Sequence, residues 1–531
     1  MALSWELGFA IIPGLILFLY GIEHFSREIQ RVAGERFRSL LGKLTANPVS
    51  GAFLGAATTS IVQSSTAVTV ITIGLVNAGT ISFVQSAGII IGANVGTTVT
   101  SQLVALNLTG FAPLFILLGF VTGLVGGKYR FLGKPMFYFG LVFFSLNLIS
   151  DAVAPVSDDP LLREALLRLS DPILAMCAGF LLTNVFQSSS VFTGLVVLLS
   201  LQGLISLEQG IPLIIGANVG TTTTAVIASQ RGDLFAKRAA AAHLLFNLGG
   251  ALIFLPMLGP FGGFVASFGG SSAQQIANAH TLFNLANALI FLAILGPFIS
   301  FIERLVPGKE EEILFRPAYL GNGLPQSNDE AFELIQKELR HSLDIVRKMF
   351  DLCIPCLVGG RGDGFDRVLK FESLSDFLDD RIGKALFELA KRDLTPSQAK
   401  KVVLLIRMSN AIEQLGDVAG SVAYLTRDLH DSGSRLSQPA SKKLEAVYGL
   451  FMDNYDSLGS IPFIAEDKVQ RMRSKDIQMI ELVSEGYEDH MRRLARGTAY
   501  SGSIFAEAVS LIESANSRLR EIRKLCERYS A

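Results

Sequence analysis

The stretch TTSIVQSSTAV, residues 58–68, decides the reading, because it returns as LTNVFQSSSVF at residues 182–192. A second match fixes the relation: IIIGANVGTTVT at 89–100 returns as LIIGANVGTTTT at 213–224. One ungapped offset of 124 residues links Gln63 to Gln187, Asn94 to Asn218, Pro48 to Pro172 and Gly55 to Gly179. Self-similarity at a single fixed offset marks a duplicated unit.

Working outward, the duplicated region lies in an apolar half of the chain. Of the 531 residues, 50% are hydrophobic, too many for an ordinary soluble enzyme. From Leu44 to Gly127 there is no Asp, Glu, Lys, Arg or His, whereas beyond Ser327 charges come every few positions. The first part reads as membrane-embedded and the second as water-soluble. A net charge of −1 with no basic face excludes a general nucleic-acid binder. The N-terminal residues lack the basic start and small-residue cleavage site of a signal peptide and read as a retained first membrane helix. Cys353 and Cys356 form the only suggestive cysteine pair, and helix packing explains them better than redox or zinc chemistry.

Hydropathy predicts crossings near 7–25, 84–106, 111–127, 136–154, 208–228, 239–257 and 280–303. The stretches 47–80 and 171–204 carry Gln-Ser-Ser at their centres, and such residues at membrane depth predict broken or re-entrant helical hairpins lining an enclosed cavity. Arg27, Arg31, Arg36, Arg38 and Lys43 flank the first hairpin and place that flank in the cytoplasm. The equivalent flank of the second carries Asp151, Asp158, Asp159, Glu164 and Asp171 against only Arg163 and Arg168, and so faces outward. The hairpins then enter from opposite sides, which makes the repeats inverted and puts the N-terminus outside. The groups Lys128, Arg130 and Lys134, then Arg231, Lys237 and Arg238, and finally Arg304 and Lys309 all fall inside in this scheme. The run GPFGGFVASFGGSS, 259–272, reads as an external loop.

Gln63, Ser64, Ser65 and Thr66, and their counterparts Gln187, Ser188, Ser189 and Ser190, put a carboxamide and three hydroxyls in a row. At a break in a helix they offer oxygens to a cation and O–H and N–H donors to an anion. The segments with Gly92, Asn94, Gly96, Thr97 and Thr98, and with Gly216, Asn218, Gly220, Thr221 and Thr222, add close-packing glycines and further oxygens, each able to meet the other repeat's hairpin. These motifs hold no Lys or Arg, so a multivalent anion bound there needs cations beside it. At about 4 Å and an effective dielectric near 20, unit charges attract by roughly 4 kcal/mol. Neutral oxygen ligands suit an alkali cation and not a transition metal. Small residues and hydroxyls also serve helix packing, but two long matches at one offset favour a binding site. His243 with Asn247 and His280 with Asn284 repeat a four-residue spacing, read equally as functional or as bonding between helices.

These motifs resemble those of the type II sodium–phosphate cotransporter family, a duplicated Gln-Ser-Ser-Ser each followed by Gly-x-Asn-x-Gly-Thr, over about residues 15–305. Thr66 stands where the first motif would have a third serine, and a hydroxyl remains. The resemblance implies an all-α polytopic membrane protein, not an enzyme. It would be a sodium–phosphate symporter of the cytoplasmic (inner) membrane, with inorganic phosphate and Na+ as substrates and the paired motif residues as their site. Residues 327–531 resemble a PhoU-type bundle of six helices, near 328–357, 364–393, 396–430, 438–466, 470–498 and 502–528. The marker is Glu413 with Asp417, one turn apart, which implies a divalent metal site. Its counterpart Glu513 to Ser517 lacks the second carboxylate. The expected organisation is a transporter domain at 1–306 with repeats at about 15–107 and 139–231, a linker at 307–326, and a cytoplasmic regulatory bundle at 327–531 that could pair as a homodimer or bind a regulatory protein. A carrier of another small anion and a membrane-bound phosphate sensor are the competing readings.

Overall fold

The computed structural model describes residues 2–45, 47–106, 108–154, 164, 166–308, 312–321, 323–359, 364–459, 461–495 and 502–530. Every regular element among them is helical. The chain divides into two compact units, Met1–Glu312 and Ile313–Ala531. The division falls inside the segment expected to be a linker. Of the loop charges read for orientation, Asp158, Asp159, Arg163 and Lys309 lie outside the described residues, as do the side chains of Arg36, Arg38 and Lys43.

The first unit opens with α1 (Ala2–Leu44), α2 (Pro48–Val62), α3 (Ser65–Asn77), α4 (Phe83–Ala105), α5 (Ala112–Val125) and α6 (Gly133–Val153). The second copy follows as α7 (Pro172–Phe186), α8 (Ser189–Leu201), α9 (Leu207–Gly220) and α10 (Thr222–Ser229). The unit closes with α11 (Leu234–Phe254), α12 (Leu258–Ala266), α13 (Ser272–Ala293) and α14 (Leu295–Leu305). Six stretches are long and apolar enough to cross a bilayer: Phe83–Ala105, Leu108–Val125, Gly127–Val153, Leu207–Ser229, Leu234–Ala266 and Ser272–Ala293. The protein is therefore a multi-pass membrane protein. By contrast α2, α3, α7 and α8, at 13 to 15 residues, reach only about 20 Å each at 1.5 Å per residue and cannot cross singly.

Burial separates spans that hydropathy makes alike. Phe83–Ala105 is 78% buried and Leu207–Ser229 67%, whereas Leu108–Val125 is 11% buried, so the first two form the protein core and the third presents its leucines to lipid. The core helices are held by glycine. A Cβ on Gly92 would stand 1.8 Å from the Ala52 carbonyl oxygen, and one on Gly216 2.0 Å from that of Met176. Thus α4 packs backbone-to-backbone on α2, and α9 on α7. The glycine faces serve each repeat's own hairpin; elsewhere α4 meets α8 of the other repeat as well as α11 and α13, and α9 meets α11, α12 and α13.

Two expectations are corrected. The last crossing runs from Ser272 to Ala293 and not 280–303: hydropathy counts Gln274, Gln275 and Asn278 as costs and leaves out 272–279, although Gln274 and Asn278 bond to each other and to Gln102 inside the protein, and Pro297 ends the helix. The run expected as a loop from Gly259 is helical through Ala266, with Gly262 packed near Ile211, and the chain turns only at Gly269 and Gly270, both at positive φ.

The second unit contains α15 (Asn328–Gly359), α16 (Phe365–Ala390), α17 (Pro396–Asp431), α18 (Gln438–Ser457), α19 (Glu466–Ala495) and α20 (Gly502–Ser530) around one apolar core. The fourth helix stops at Ser457, earlier than expected, since Gly459 and Pro462 follow. The incoming segment is fastened to this unit: the buried Glu338 carboxylate accepts from the amides of Ala318, Tyr319 and Leu320 at 2.7–3.0 Å. Cys353 and Cys356 are buried in α15, as packing requires.

Candidate functional site

The two Gln-Ser-Ser motifs adopt one backbone geometry. Gln63 ends α2 at φ 57°, ψ 29°, and Gln187 ends α7 at φ 57°, ψ 20°; they are the non-glycine residues of positive φ among those described. A left-handed side-chain-bearing residue costs roughly 1–3 kcal/mol and persists where the surroundings demand it. The next residue is extended and caps the following helix. Ser64 Oγ accepts from the Ala67 amide at 3.2 Å, and Ser188 Oγ from the Val191 amide at 3.3 Å. Each motif is a helix end, a two-residue break and a new helix N-terminus.

The copies differ in what surrounds them. Gln63 Oε1 accepts from Thr100 Oγ1 at 2.6 Å, and Thr100 Oγ1 lies 3.5 Å from Ser190 Oγ, so Gln63, Thr100 and Ser190 close upon one another across the repeats. The residues at the same offset, Gln187, Thr224 and Thr66, instead line a cavity of about 330 Å³. Thr183, Asn184, Thr221 and Thr223 complete its polar wall, and none of its lining residues is charged. Thr221 marks a break between α9 and α10, where α4 in the first copy runs on unbroken.

Two helix starts border this cavity, α3 through Thr66 and α8 immediately after Gln187, while Thr221, Thr223 and Thr224 reach it from the wall formed by α9 and α10. The partial positive charge and free first-turn amides of the two starts favour an anion. The carboxamide, hydroxyl and carbonyl oxygens can hold alkali cations beside it.

Of the residues expected at the site, Thr66, Gln187 and Thr221 line the cavity, Gln63 and Ser190 join the closed triad, and Ser64 and Ser188 are helix caps. Ser65 and Ser189 are buried beside the caps. Asn94, Thr97 and Thr98 hydrogen-bond to carbonyls of their own helix, and Thr222 to the Val219 carbonyl in the last turn of α9. Asn218 belongs to a cross-helix network: its Oδ1 meets His280 Nε2 at 3.3 Å, His280 Nδ1 meets Ser101 Oγ at 2.8 Å, and Asn218 Nδ2 donates to Asn284 Oδ1 at 3.1 Å. Since an amide oxygen only accepts, His280 Nε2 carries the proton and Nδ1 accepts from Ser101. Sequence reading missed Thr100, Thr224, Thr59 and Thr183, although the offset of 124 residues pairs each with its twin; Thr59 and Thr183 are both buried with unpaired hydroxyls.

In the second unit, the structure adds Asp376 to Glu413 and Asp417, with oxygens from all three within 4.8 Å of one another. Burial, then Asp417, Asp379 and Asp376, push the Glu413 carboxyl up to about 7. Burial also raises Asp376 and Asp417. Three crowded carboxylates that resist ionisation fit a divalent cation, which would offset their repulsion.

The family described as Na+/Pi-cotransporter matches residues 17–151 and 157–296. The chain belongs to the Na+/Pi-cotransporter family. Family membership makes it a phosphate transporter, and both repeats, with their motifs, lie within the matched residues. It is 32% identical to "Uncharacterized protein YqeW" of Bacillus subtilis over 264 residues, 49% of this chain and 86% of that one. It is 22% identical to "Putative inorganic phosphate export protein YjbB" of Salmonella typhimurium over 490 residues, 91% of this chain and 90% of that one, so this likeness extends into the second unit. It is 48% identical to "Sodium-dependent phosphate transport protein 2C" of Homo sapiens over 84 residues, 15% of this chain and 14% of that one. No solved structure matches the chain.

Proposed function

We propose that this family member is a sodium–phosphate symporter of the cytoplasmic membrane, with its second unit a cytoplasmic PhoU-like regulator. The observation that carries the reading is the cavity at Gln187: it sets neutral hydroxyl and amide groups and two helix N-termini into a largely apolar lining and has no cationic side chain. Phosphate entering it lacks a fixed counter-charge, so bound sodium supplies one, and the two substrates travel together. The name of the human relative, a sodium-dependent phosphate transport protein, agrees.

In this reading the repeats are inverted and the two triads alternate. Gln63, Thr100 and Ser190 are closed while Gln187, Thr224 and Thr66 are open, and transport exchanges the two arrangements. Radiolabelled phosphate in proteoliposomes tests it: uptake should follow an imposed sodium gradient and stop when choline replaces sodium. Sodium-independent uptake overturns the coupling. A second reading, phosphate export, is favoured by the name of the Salmonella relative that matches along most of this chain; efflux from phosphate-loaded vesicles without sodium-driven uptake supports it instead.

Asp376, Glu413 and Asp417 would hold the divalent cation of the regulatory unit. The raised Glu413 sets the sign of its pH dependence. The neutral carboxyl contributes stability that is complete below its usual range near 4.5 and is lost as pH rises through about 7. Without divalent metal, thermal unfolding of the second unit in the full chain should therefore shift to lower temperature between pH 5 and pH 8. Added Mg2+ or Mn2+ should restore it at pH 8 and have no effect at pH 5.

A further inference from the structure

Resting on the symport reading, we infer that a sodium ion binds between α11 and α13, held by the side-chain oxygens of Asn247 and Asn287 and closed by His243. Asn287 reaches from α13 onto α11, where its Nδ2 donates to the Phe246 carbonyl at 3.1 Å. Gly250 admits it: a Cβ there would stand 2.7 Å from Asn287 Oδ1. Asn247 lies one turn before Gly250 on α11 and spends its Nδ2 on the His243 carbonyl at 3.0 Å. With both amide nitrogens committed, the oxygens are fixed in orientation and are left over. Asn247 Oδ1, Asn287 Oδ1 and both ring nitrogens of His243 are buried and have no partner, and the three residues are 0–1% exposed.

The count of groups identifies the ligand. A neutral imidazole brings one donor and one lone pair, so the cluster holds three acceptors against a single donor. Native interiors rarely leave such acceptors unmatched, and a cation takes them all. Of the helices packed on α11, α3, α4, α10 and α13 contain no Asp, Glu, Lys or Arg; the charges of α11 are confined to its first turns at Lys237 and Arg238, Glu208 stands in the first turn of α9, and the charges of α14 are Glu303, beside Arg238, and Arg304 at its last turn. Neutral oxygens without a carboxylate suit a monovalent hard cation, not a divalent or transition metal. Helix packing does not account for the cluster. The matching residues on α13 show what that looks like: His280 is bonded through both nitrogens, and Asn284 Oδ1 accepts from Asn218.

The test is sodium activation of phosphate uptake by the full chain in proteoliposomes. Asn247→Leu and Asn287→Leu should raise the half-saturating sodium concentration at least tenfold and lower the Hill coefficient, with the phosphate KM at saturating sodium changed less than twofold. Asn247→Ser, which keeps a neutral oxygen, should stay within threefold of the wild type. Folding is checked independently by thermal unfolding in detergent, where sodium but not potassium should stabilise the wild type more than either leucine variant. Wild-type uptake without sodium dependence removes the symport reading and this inference with it. A sodium-dependent wild type whose folded leucine variants keep its activation curve overturns the inference alone. A His243→Gln variant that moves the pH profile of uptake while leaving every sodium curve unchanged assigns the site to a proton and overturns it equally.

Discussion

Gln187→Ala and Gln63→Ala are each expected to lower sodium-driven phosphate uptake by about ten- to a hundredfold while the protein still inserts into the membrane. A hydrogen bond to a charged group contributes roughly 1.5–3 kcal/mol, which sets that range. Both side chains also sit at a left-handed backbone position, so alanine changes conformation as well as chemistry. Gln187→Gly separates the two effects, because glycine keeps the break and lacks the carboxamide. Uptake lost in both Gln187 variants places the role in the carboxamide. Uptake retained by the glycine variant alone makes the residue a backbone device, and normal uptake in all three variants removes the motif from the site.

Gly92→Val and Gly216→Val are expected to prevent folding of the first unit. The atoms in the way are carbonyl oxygens of Ala52 and Met176, which belong to packed helices and cannot rotate aside as a side chain can. Overpacking of adaptable cores costs about 1–3 kcal/mol, and separating two helix backbones forfeits contacts along their whole length. The readout is monodisperse protein after detergent extraction, which should fall at least tenfold. Gly123→Val is the control: a Cβ there meets nothing within 4 Å. Wild-type yield from Gly92→Val would mean that the α2–α4 contact is looser than described.

Much of this molecule was legible in the residues, and the reasons are local. The fixed offset between the motifs and the charge-free run from Leu44 to Gly127 depend on neighbours in sequence alone. So do the helix starts, since Ser82 with Gln85 and Ser206 with Gln209 form the same capping box in each repeat. The last crossing was misplaced because hydropathy treats Gln274, Gln275 and Asn278 as costs wherever they point, and only packing reveals that Gln274 and Asn278 bond to Gln102 inside the protein.

The tertiary structure decided what each copy of the motif does. Gln63 and Gln187 stand in near-identical sequence and share one φ, yet one is closed by Thr100 beside Ser190 and the other borders a cavity. Likewise His243 and His280 share their spacing to an asparagine, but one is unpaired and the other bonded on both sides. Sequence by itself determined a duplicated, all-helical membrane protein with a polar Gln-Ser-Ser run in each copy, because periodicity, capping and hydropathy act over a few residues. It left open which breaks meet and which stay apart. Those contacts join residues up to 90 positions apart, as Thr100 and Ser190 are, and depend on how helices pack across the repeats.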